Sequence, residues 1–147
     1  MARHYKYILY SAFMRYLVDT SIWIDLYEDR RGYANEPLGE YALKFFFNII
    51  SKKEIIIVTD LLLTELESKY SLDQINGMFA PFQTERISST ERERDEAKRI
   101  ATEMNIPPGD ALHAIMARDN TLTLITRDKH FRQLEGISKH YKPENII

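Results

Sequence analysis

The sequence contains no cysteine, no long apolar run and no excess of basic side chains. The lack of cysteine excludes a disulfide framework and a zinc site built on thiolates, and it fits an intracellular protein. The apolar runs are all shorter than the roughly 20 residues of a membrane-spanning helix. A net charge of −2 provides no basic field for non-specific binding of nucleic acid. We therefore expect a cytoplasmic protein that makes no contact with a membrane.

The rest of the composition is that of one globular domain. The chain has 147 residues, of which 44% are hydrophobic and 29% are charged, so it can bury a core without disulfides. Near the N-terminus, the apolar stretch is short and is broken by Lys6, Tyr10 and Ser11. This stretch therefore does not have the pattern of a secretion signal.

Short apolar runs alternate with amphipathic stretches along the chain, which is typical of an α/β fold. The runs predict strands at residues 16–18, 55–58 and 122–125, with a final edge strand at 137–141. The β-branched run at 55–58 suits an interior parallel strand that is covered on both faces. Helical spacing predicts helices between the strands, at about residues 20–26, 37–50, 60–66, 72–80, 90–104 and 110–118. The predicted buried face of the second helix consists of Leu38, Tyr41, Ala42, Phe45, Phe46, Ile49 and Ile50.

Four acidic residues follow the predicted strands in positions that a parallel sheet brings together. Ligands of such sheets bind beyond the carboxyl ends of the strands. Asp19 comes directly after the first strand, and Asp128 lies three residues past the third. Glu65 lies about one turn into the helix after the second strand, and Asp110 lies in the first turn of its helix, where the helix dipole favours a carboxylate. We expect the four acids to converge on one edge of the sheet.

Each of these acids, taken alone, could have an ordinary structural role, because most of the 22 acidic residues are expected to be solvated. Asp110 could serve only as a helix cap. Glu65 is predicted to share the packed side of its helix with Leu61 and Leu62, whereas Glu67 lies about 200° further round and points away. An acid on an apolar side must be paired or bound to a metal ion.

The four acids lie in segments that follow one another in a recognisable order. The segments are residues 16–21 (YLVDTS), 58–65 (VTDLLLTE), 109–113 (GDALH) and 124–131 (LITRDKHF). Together they resemble the PIN-domain family, and most closely the VapC-type toxin ribonucleases of toxin–antitoxin pairs. The resemblance implies a three-layer α/β/α sandwich with a mostly parallel sheet. The PIN-like domain is expected to span residues 14–147, after an N-terminal extension of residues 1–13.

The resemblance also implies a function for the acids. The catalytic and metal-binding residues are then Asp19, Glu65, Asp110 and Asp128, with accessory hydroxyls on Ser21 and Thr126. The expected cofactor is Mg²⁺ or Mn²⁺, which lowers the pKa of a bound water and polarises the phosphate. Mg²⁺ prefers oxygen ligands and keeps several waters, so a few carboxylates are enough. His113 is expected to be a packed or supporting residue and not a base.

An RNA substrate and two protein partners are expected from the same resemblance. Basic side chains near the acids could contact RNA phosphates, although solvated surface charge accounts for them equally well. They are Arg30, Arg31, Arg127, Lys129, His130 and Arg132. A cognate antitoxin is expected to cover the acidic cleft. A homodimer is also expected, and the aromatic second helix offers apolar surface for it.

Two other functions remain open. One is a PIN endonuclease that processes RNA and is not a toxin. The other is a non-catalytic PIN-like module that binds RNA or protein, which loss of the acids would indicate, and all four acids are present. A phosphatase of the haloacid-dehalogenase type is excluded, because Ser21 stands where that class has its second Asp.

Overall fold

One parallel sheet forms the centre of the molecule. The computed structural model describes residues 14–146, so the predicted extension at 1–13 lies outside the described residues. The strands are β1 (Arg15–Val18), β2 (Ile55–Thr59), β3 (Gln83–Ile87), β4 (Thr123–Ile125) and β5 (His140–Tyr141). Their order is β3-β2-β1-β4-β5, and every neighbouring pair is parallel. The strand order therefore reverses between β1 and β4, where parallel sheets open a crevice for ligands.

Helices connect the strands. They are α1 (Thr20–Glu28), α2 (Leu38–Lys52), α3 (Asp60–Glu67), α4 (Leu72–Phe79), α5 (Glu91–Met104) and α6 (Pro108–Asp119). Short 3-10 helices follow at Lys129–Arg132 and Pro143–Asn145. Within residues 14–146, none of the helices has the length and apolar character needed to cross a membrane.

Alternate residues of the central strands pack against different helices. Val18 and Val58 belong to one buried cluster with residues of α1, α2, α3 and α4. Leu17 and Ile57 belong to a second cluster with residues of α5 and α6. Side chains alternate across a strand, so β1 and β2 each contribute to both cores. The predicted three-layer α/β/α sandwich and its parallel sheet are confirmed.

Some details differ from the sequence predictions. The sequence pattern indicates no strand at residues 83–87, yet β3 pairs with β2 along its length. The side chains of β3 are mostly exposed, so the strand lacks the apolar alternation that identifies strands in a sequence. The last strand has two residues and is shorter than predicted. In α2, Ile50 is predicted to be buried but is 43% exposed.

The side of α2 that carries Ile50 borders an apolar groove. Leu43 and Phe47 on the same helix are 58% and 68% exposed, although both are apolar. The groove has a volume of about 590 Å³ and lies between α1, α2 and α4. Its lining, which defines what we call the apolar groove, includes Leu26, Tyr27, Leu43, Phe47, Ile50 and Phe82. Large exposed apolar patches mark surfaces that bind a partner.

Candidate metal centre

Three helices begin where a strand has just ended, and a polar side chain caps each of them. Asp19, Thr59 and Asp128 are the N-cap residues of α1, α3 and the 3-10 helix at Lys129–Arg132. Asp19 and Asp128 follow β1 and β4, and Thr59 is the last residue of β2, so all three lie at the carboxyl edge of the sheet. The positive ends of the helix dipoles meet at this edge and favour negative charge there.

Asp19 is buried at the end of β1, where hydrogen bonds hold its carboxylate. Its backbone N–H donates to the carbonyl of Ile125 in β4 at 2.8 Å, which extends the strand pairing to the acid. Its Oδ1 accepts a hydrogen bond from the backbone N–H of Thr20 at 2.9 Å. Its Oδ2 accepts hydrogen bonds from the hydroxyls of Thr126 at 2.9 Å and Ser21 at 3.3 Å. Both hydroxyls predicted as accessory groups therefore contact Asp19.

Asp128 and Asp110 meet at the same edge, with His130 between them. The buried hydroxyl oxygen of Thr126 accepts a hydrogen bond from the backbone N–H of Asp128 at 3.1 Å, so it links Asp19 to Asp128. Nδ1 of His130 lies 2.9 Å from Oδ1 of Asp128 and 3.1 Å from Oδ2 of Asp110. Asp110, Asp128 and His130 each offer one ligand atom, and these three atoms all lie within 4.8 Å of one another.

The charges at this edge are not balanced. The pKa of Asp110 is raised to about 6, first by burial and then by the charges of Asp128 and Asp19, against the opposing effect of His130. Two carboxylates about 5 Å apart repel by roughly 3 kcal/mol at an effective dielectric constant near 20. A divalent cation would compensate this excess, and carboxylates with an imidazole are suitable ligands for one. The residues present therefore fit the metal ion that the sequence implies.

Glu65 approaches the same edge from α3 but is not buried. Its Oε1 accepts a hydrogen bond from the hydroxyl of Thr20 at 3.0 Å, directly beside Asp19. The prediction that Glu65 lies on the packed side of its helix is wrong, because the residue is exposed. Leu62 and Leu66, four residues apart, form the buried face of α3, and Glu65 lies beside that face.

His113 of α6 is buried next to Asp19. Its Nδ1 lies 3.9 Å from Oδ1 of Asp19, and its Nε2 lies 3.3 Å from the hydroxyl oxygen of Thr59. Burial lowers the pKa of His113, against the opposing charges of Asp19 and Glu65. The ring is therefore neutral at pH 7, and its burial agrees with the prediction of a packed residue.

Two of the basic residues predicted to contact RNA are bound to carboxylates. Arg30 Nε lies 2.9 Å from Oδ1 of Asp25, and Arg127 Nε lies 3.8 Å from Oδ2 of the same buried acid. Arg127 Nη1 also lies 2.6 Å from Oε2 of Glu144. The guanidinium of Arg127 packs over the ring of Tyr41 as well. These contacts fasten the loops after α1 and β4 to the C-terminal segment.

Lys129 and Arg31 are exposed, as Arg30 is too. Lys129 follows the last acid directly. Arg31 donates a hydrogen bond to the carbonyl of Asn35 at 3.4 Å, within the loop after α1. Contact with RNA stays a prediction for all of these residues, and Lys129 is the one whose charge is exposed closest in sequence to the acids.

A sequence match to a known family covers most of the described chain. A family model for the PIN domain matches residues 16–137. The chain belongs to the PIN-domain family. The matched part of this PIN domain contains all four predicted acids and the edge at which Asp19, Asp110 and Asp128 meet. No curated protein sequence matches it.

Solved structures with the same fold include chains of toxin–antitoxin complexes. The VapBC2 structure from Rickettsia felis, bound to a DNA fragment from its promoter, matches with a TM-score of 0.62 and 18% identity over 88% of this chain and 98% of that chain. A toxin–antitoxin complex from Klebsiella pneumoniae matches with a TM-score of 0.57 and 19% identity over 86% and 96% of the two chains. PAE2754 from Pyrobaculum aerophilum matches with a TM-score of 0.54 and 18% identity over 90% of this chain and 93% of that chain. At these identities the likeness shows the fold of the PIN domain.

Sequence reasoning missed two features of this PIN domain. His130 is indicated in the sequence only as a group near phosphates, because its approach to Asp110 depends on how α6 packs beside β4. Asp25 is 2% exposed, and its only signal is its position three residues after the buried Ile22 on α1. His130 contacts Asp110 in a distant segment, and Asp25 contacts Arg30 and Arg127 in two loops. Helical and strand periodicity do not describe contacts of this kind.

Proposed function

We propose that this PIN domain is a metal-dependent endoribonuclease that hydrolyses RNA phosphodiester bonds and acts as the toxin of a toxin–antitoxin pair. The observation that carries the proposal is the acid cluster at the carboxyl edge of the sheet. There Asp110 and Asp128 share the imidazole of His130, and Thr126 holds Asp19. PIN domains are generally nucleases, and several solved structures with this fold are toxin–antitoxin complexes. The proposed cofactor is Mg²⁺, or Mn²⁺ in its place.

The buried and half-buried acids would hold the ion. Asp19, Asp110 and Asp128 gather negative charge at one edge, and burial together with the charges of Asp128 and Asp19 raises the pKa of Asp110. When bound, the ion lowers the pKa of a water and polarises the scissile phosphate. Thr126 fixes the first and last acids relative to one another, because its hydroxyl donates to Asp19 and accepts from the N–H of Asp128. Ser21 restrains the carboxylate of Asp19 from the other side.

The exposed groups around the cluster would act on the RNA. Glu65 is hydrogen-bonded to Thr20 and faces solvent, so it suits the positioning of a water or of a second ion. Lys129 and Arg31 would contact phosphates of the bound RNA. The proposal includes a cytoplasmic location for the protein.

The test is cleavage of labelled RNA by the intact chain with Mg²⁺, with Mn²⁺ and with EDTA. We expect cleavage that requires the metal and falls about 100-fold or more in Asp19→Asn. Asn keeps an acceptor for the N–H of Thr20 at the start of α1, so the variant should fold. Mg²⁺ should also raise the Tm of the wild type more than that of Asp19→Asn, because binding stabilises only a folded state that has the site.

Glu67→Gln is the matched control for this experiment. Glu67 is exposed and lies two residues from Glu65, so the variant removes an acid next to the site without changing the proposed ligands. It should cleave RNA at the wild-type rate. If Asp19→Asn also cleaves at the wild-type rate in the presence of metal, the proposed ligand set is wrong.

Two other results would favour the remaining functions. Metal-dependent cleavage by a chain whose expression does not arrest growth would favour an RNA-processing endonuclease. A chain that neither cleaves RNA nor gains stability from metal would be a non-catalytic PIN-like module. Repulsion among Asp19, Asp110 and Asp128 weighs against this module, because a binding surface alone does not require it.

We further propose that the antitoxin binds in the apolar groove and reaches the acids along α1. An exposed apolar groove between helices suits an amphipathic helix. Leu26 and Tyr27 of α1 line the groove, and Thr20 begins the same helix beside Asp19. Leu26 and Thr20 are separated by about 9 Å along the helix axis. A bound segment can therefore continue over the site and present a basic side chain to the acids.

A homodimer completes the proposal. The expectation comes from the resemblance to VapC-type toxins, because the exposed apolar side chains of α2, which are Leu43, Phe47 and Ile50, line the groove proposed for the antitoxin. Light scattering of the purified chain measures the mass of the particle in solution and so tests the dimer. A particle with the 17.4 kDa mass of one chain at micromolar concentration would contradict the dimer.

A further inference from the structure

His130 is held in one position by the structure around it. It lies in the 3-10 helix at Lys129–Arg132, directly after β4 and the capping residue Asp128. Its backbone N–H donates to Oδ1 of Asp128 at 2.9 Å. The next residue, Phe131, is fully buried and anchors the turn in the core. The imidazole is one-third exposed and points at the two acids, so it is available to a bound ion and to solvent.

The distances around the imidazole match those between neighbouring ligands of one metal ion. Nδ1 lies 2.9 Å from an oxygen of Asp128 and 3.1 Å from an oxygen of Asp110. In an octahedral site with bonds of about 2.1 Å, adjacent ligand atoms are about 3.0 Å apart. Nδ1 of His130 therefore lies where it can coordinate the same ion as one oxygen of Asp110 and one oxygen of Asp128.

We propose that His130 is a nitrogen ligand of the metal ion, together with Asp110 and Asp128. The inference rests on the proposed metal-dependent function and extends it to the choice of metal. Mg²⁺ is bound almost entirely through oxygen, whereas transition-metal ions accept imidazole readily. A site with one nitrogen therefore favours Mn²⁺ over Mg²⁺ more strongly than a site made of the four acids alone.

The alternative is that His130 only donates a hydrogen bond to the acids. The same distances fit a protonated Nδ1 that bridges the two carboxylates. In that arrangement the nitrogen stays outside the coordination sphere, and the ion has oxygen ligands only. The two arrangements differ in whether a nitrogen nucleus is bonded to the metal, which can be measured without any activity assay.

The experiment uses Mn²⁺ as the probe on the intact wild-type chain. Electron paramagnetic resonance counts the bound Mn²⁺, and electron spin echo envelope modulation detects a coordinated ¹⁴N nucleus. We expect ¹⁴N modulation from the wild type and its loss in His130→Asn, whose amide oxygen can replace Nδ1 as an oxygen ligand. The Kd for Mn²⁺ should rise about tenfold in this variant, and the Kd for Mg²⁺ should rise less.

His140→Asn is the matched control, because it removes a histidine outside the cluster. His140 lies in β5, with Nδ1 3.0 Å from Oε1 of Glu135 and its ring near Phe131. This variant should keep both the ¹⁴N modulation and the wild-type Kd values.

The possible failures are distinguishable. Bound Mn²⁺ without ¹⁴N modulation in the wild type would overturn the assignment of His130 and leave the nuclease proposal intact. Modulation that persists in His130→Asn would also overturn the assignment, because another nitrogen would be the ligand. A wild-type chain that binds no Mn²⁺ would overturn both the assignment and the proposed metal dependence.

Discussion

Asp110 is the acid whose charge is least favourable in the metal-free chain. Burial and the charges of Asp128 and Asp19 raise its pKa to about 6. The folded chain therefore holds this proton more tightly than the unfolded chain does. Between about pH 4 and pH 6 the unfolded state loses the proton first, so the contribution of Asp110 to the free energy of unfolding falls as pH rises.

Replacing Asp110 by Asn should remove this pH dependence. In EDTA at pH 7 we expect Asp110→Asn to be more stable than the wild type, by at most about 3 kcal/mol for a pKa shift of this size. Near pH 4 the wild-type acid is protonated and the two proteins should be equally stable. Urea unfolding at both pH values measures the difference, with Glu67→Gln as the exposed-acid control. A difference that is the same at both pH values would refute the assigned cause.

Arg127 and Lys129 test whether a basic residue near the acids stabilises the fold or contacts RNA. Arg127 is partly buried between Glu144 and Asp25, so its removal leaves both acids without this partner. We expect Arg127→Ala to lower the free energy of unfolding by about 3 kcal/mol. Lys129 is exposed, so Lys129→Ala should change stability by less than about 0.5 kcal/mol and should weaken RNA binding. Urea unfolding and fluorescence anisotropy with labelled RNA measure the two effects, and equal stability of both variants would contradict them.

At the level of residues, the sequence predicts the acids that follow strands better than it predicts their surroundings. Asp19 and Asp128 lie at strand ends, and parallel strands end at a common edge, so their proximity follows from topology. The exposure of Glu65 does not follow, because the buried side of a short helix depends on which neighbours it meets. The position of His130 against Asp110 depends on the packing of α6 beside β4, which no local pattern encodes.

Among the elements, the helices are predicted from the sequence more completely than the strands. The start of α5 is an example, since Thr90 and Glu93 have the spacing of a capping box and both of its hydrogen bonds are present. β3 is the opposite case, because its sequence QTERI has no apolar alternation and it becomes a strand only by pairing with β2. A strand at the edge of a sheet is held by backbone pairing on one side, and its side chains can stay exposed.

The cap of α5 leads to a prediction about stability. Thr90→Ala removes the hydroxyl that accepts a hydrogen bond from the backbone N–H of Glu93 at 3.1 Å. We expect it to lower the free energy of unfolding by about 1 kcal/mol. Thr102→Ala in the same helix is the control, because the Thr102 hydroxyl only donates to the carbonyl of Lys98 at an exposed position. Urea unfolding compares the two, and a loss in Thr102→Ala as large as that in Thr90→Ala would exclude the cap as the cause.

For the whole molecule, the layers and the parallel sheet follow from the alternation of apolar runs with amphipathic helices. The apolar groove does not. Helical spacing predicts that Ile50 is buried with the core residues of α2, although it is 43% exposed. The spacing does not distinguish a helix face that packs against other helices from one that faces solvent. Phe47 lies in a run of three phenylalanines, of which Phe45 and Phe46 are buried and Phe47 is 68% exposed.

This exposure allows the proposed antitoxin surface to be tested without disturbing the core. The chain would be co-expressed with a candidate antitoxin, taken from a small gene adjacent to its own, and co-purification would be measured. We expect Phe47→Asp to abolish co-purification and to keep RNA cleavage, because a charge in the groove opposes burial of an apolar partner surface. Asn48→Asp introduces the same single negative charge on α2, about 100° round the helix from Phe47 and outside the groove lining, and should co-purify normally. Normal co-purification of Phe47→Asp would remove the groove from the proposal.

The central position of β1 also has a consequence for how the protein is made. Leu17 of β1 pairs with Leu124 of β4, 107 residues later in the chain (from 17 to 124). Contacts of such high order close late, and ribosomes add about 5 to 20 residues each second. During synthesis, the edge of β1 that pairs with β4 therefore stays unpaired for roughly 5 to 20 seconds. Asp19 meets Asp128 only after that delay, so a nascent chain has no complete acid cluster with which to attack the RNA around it.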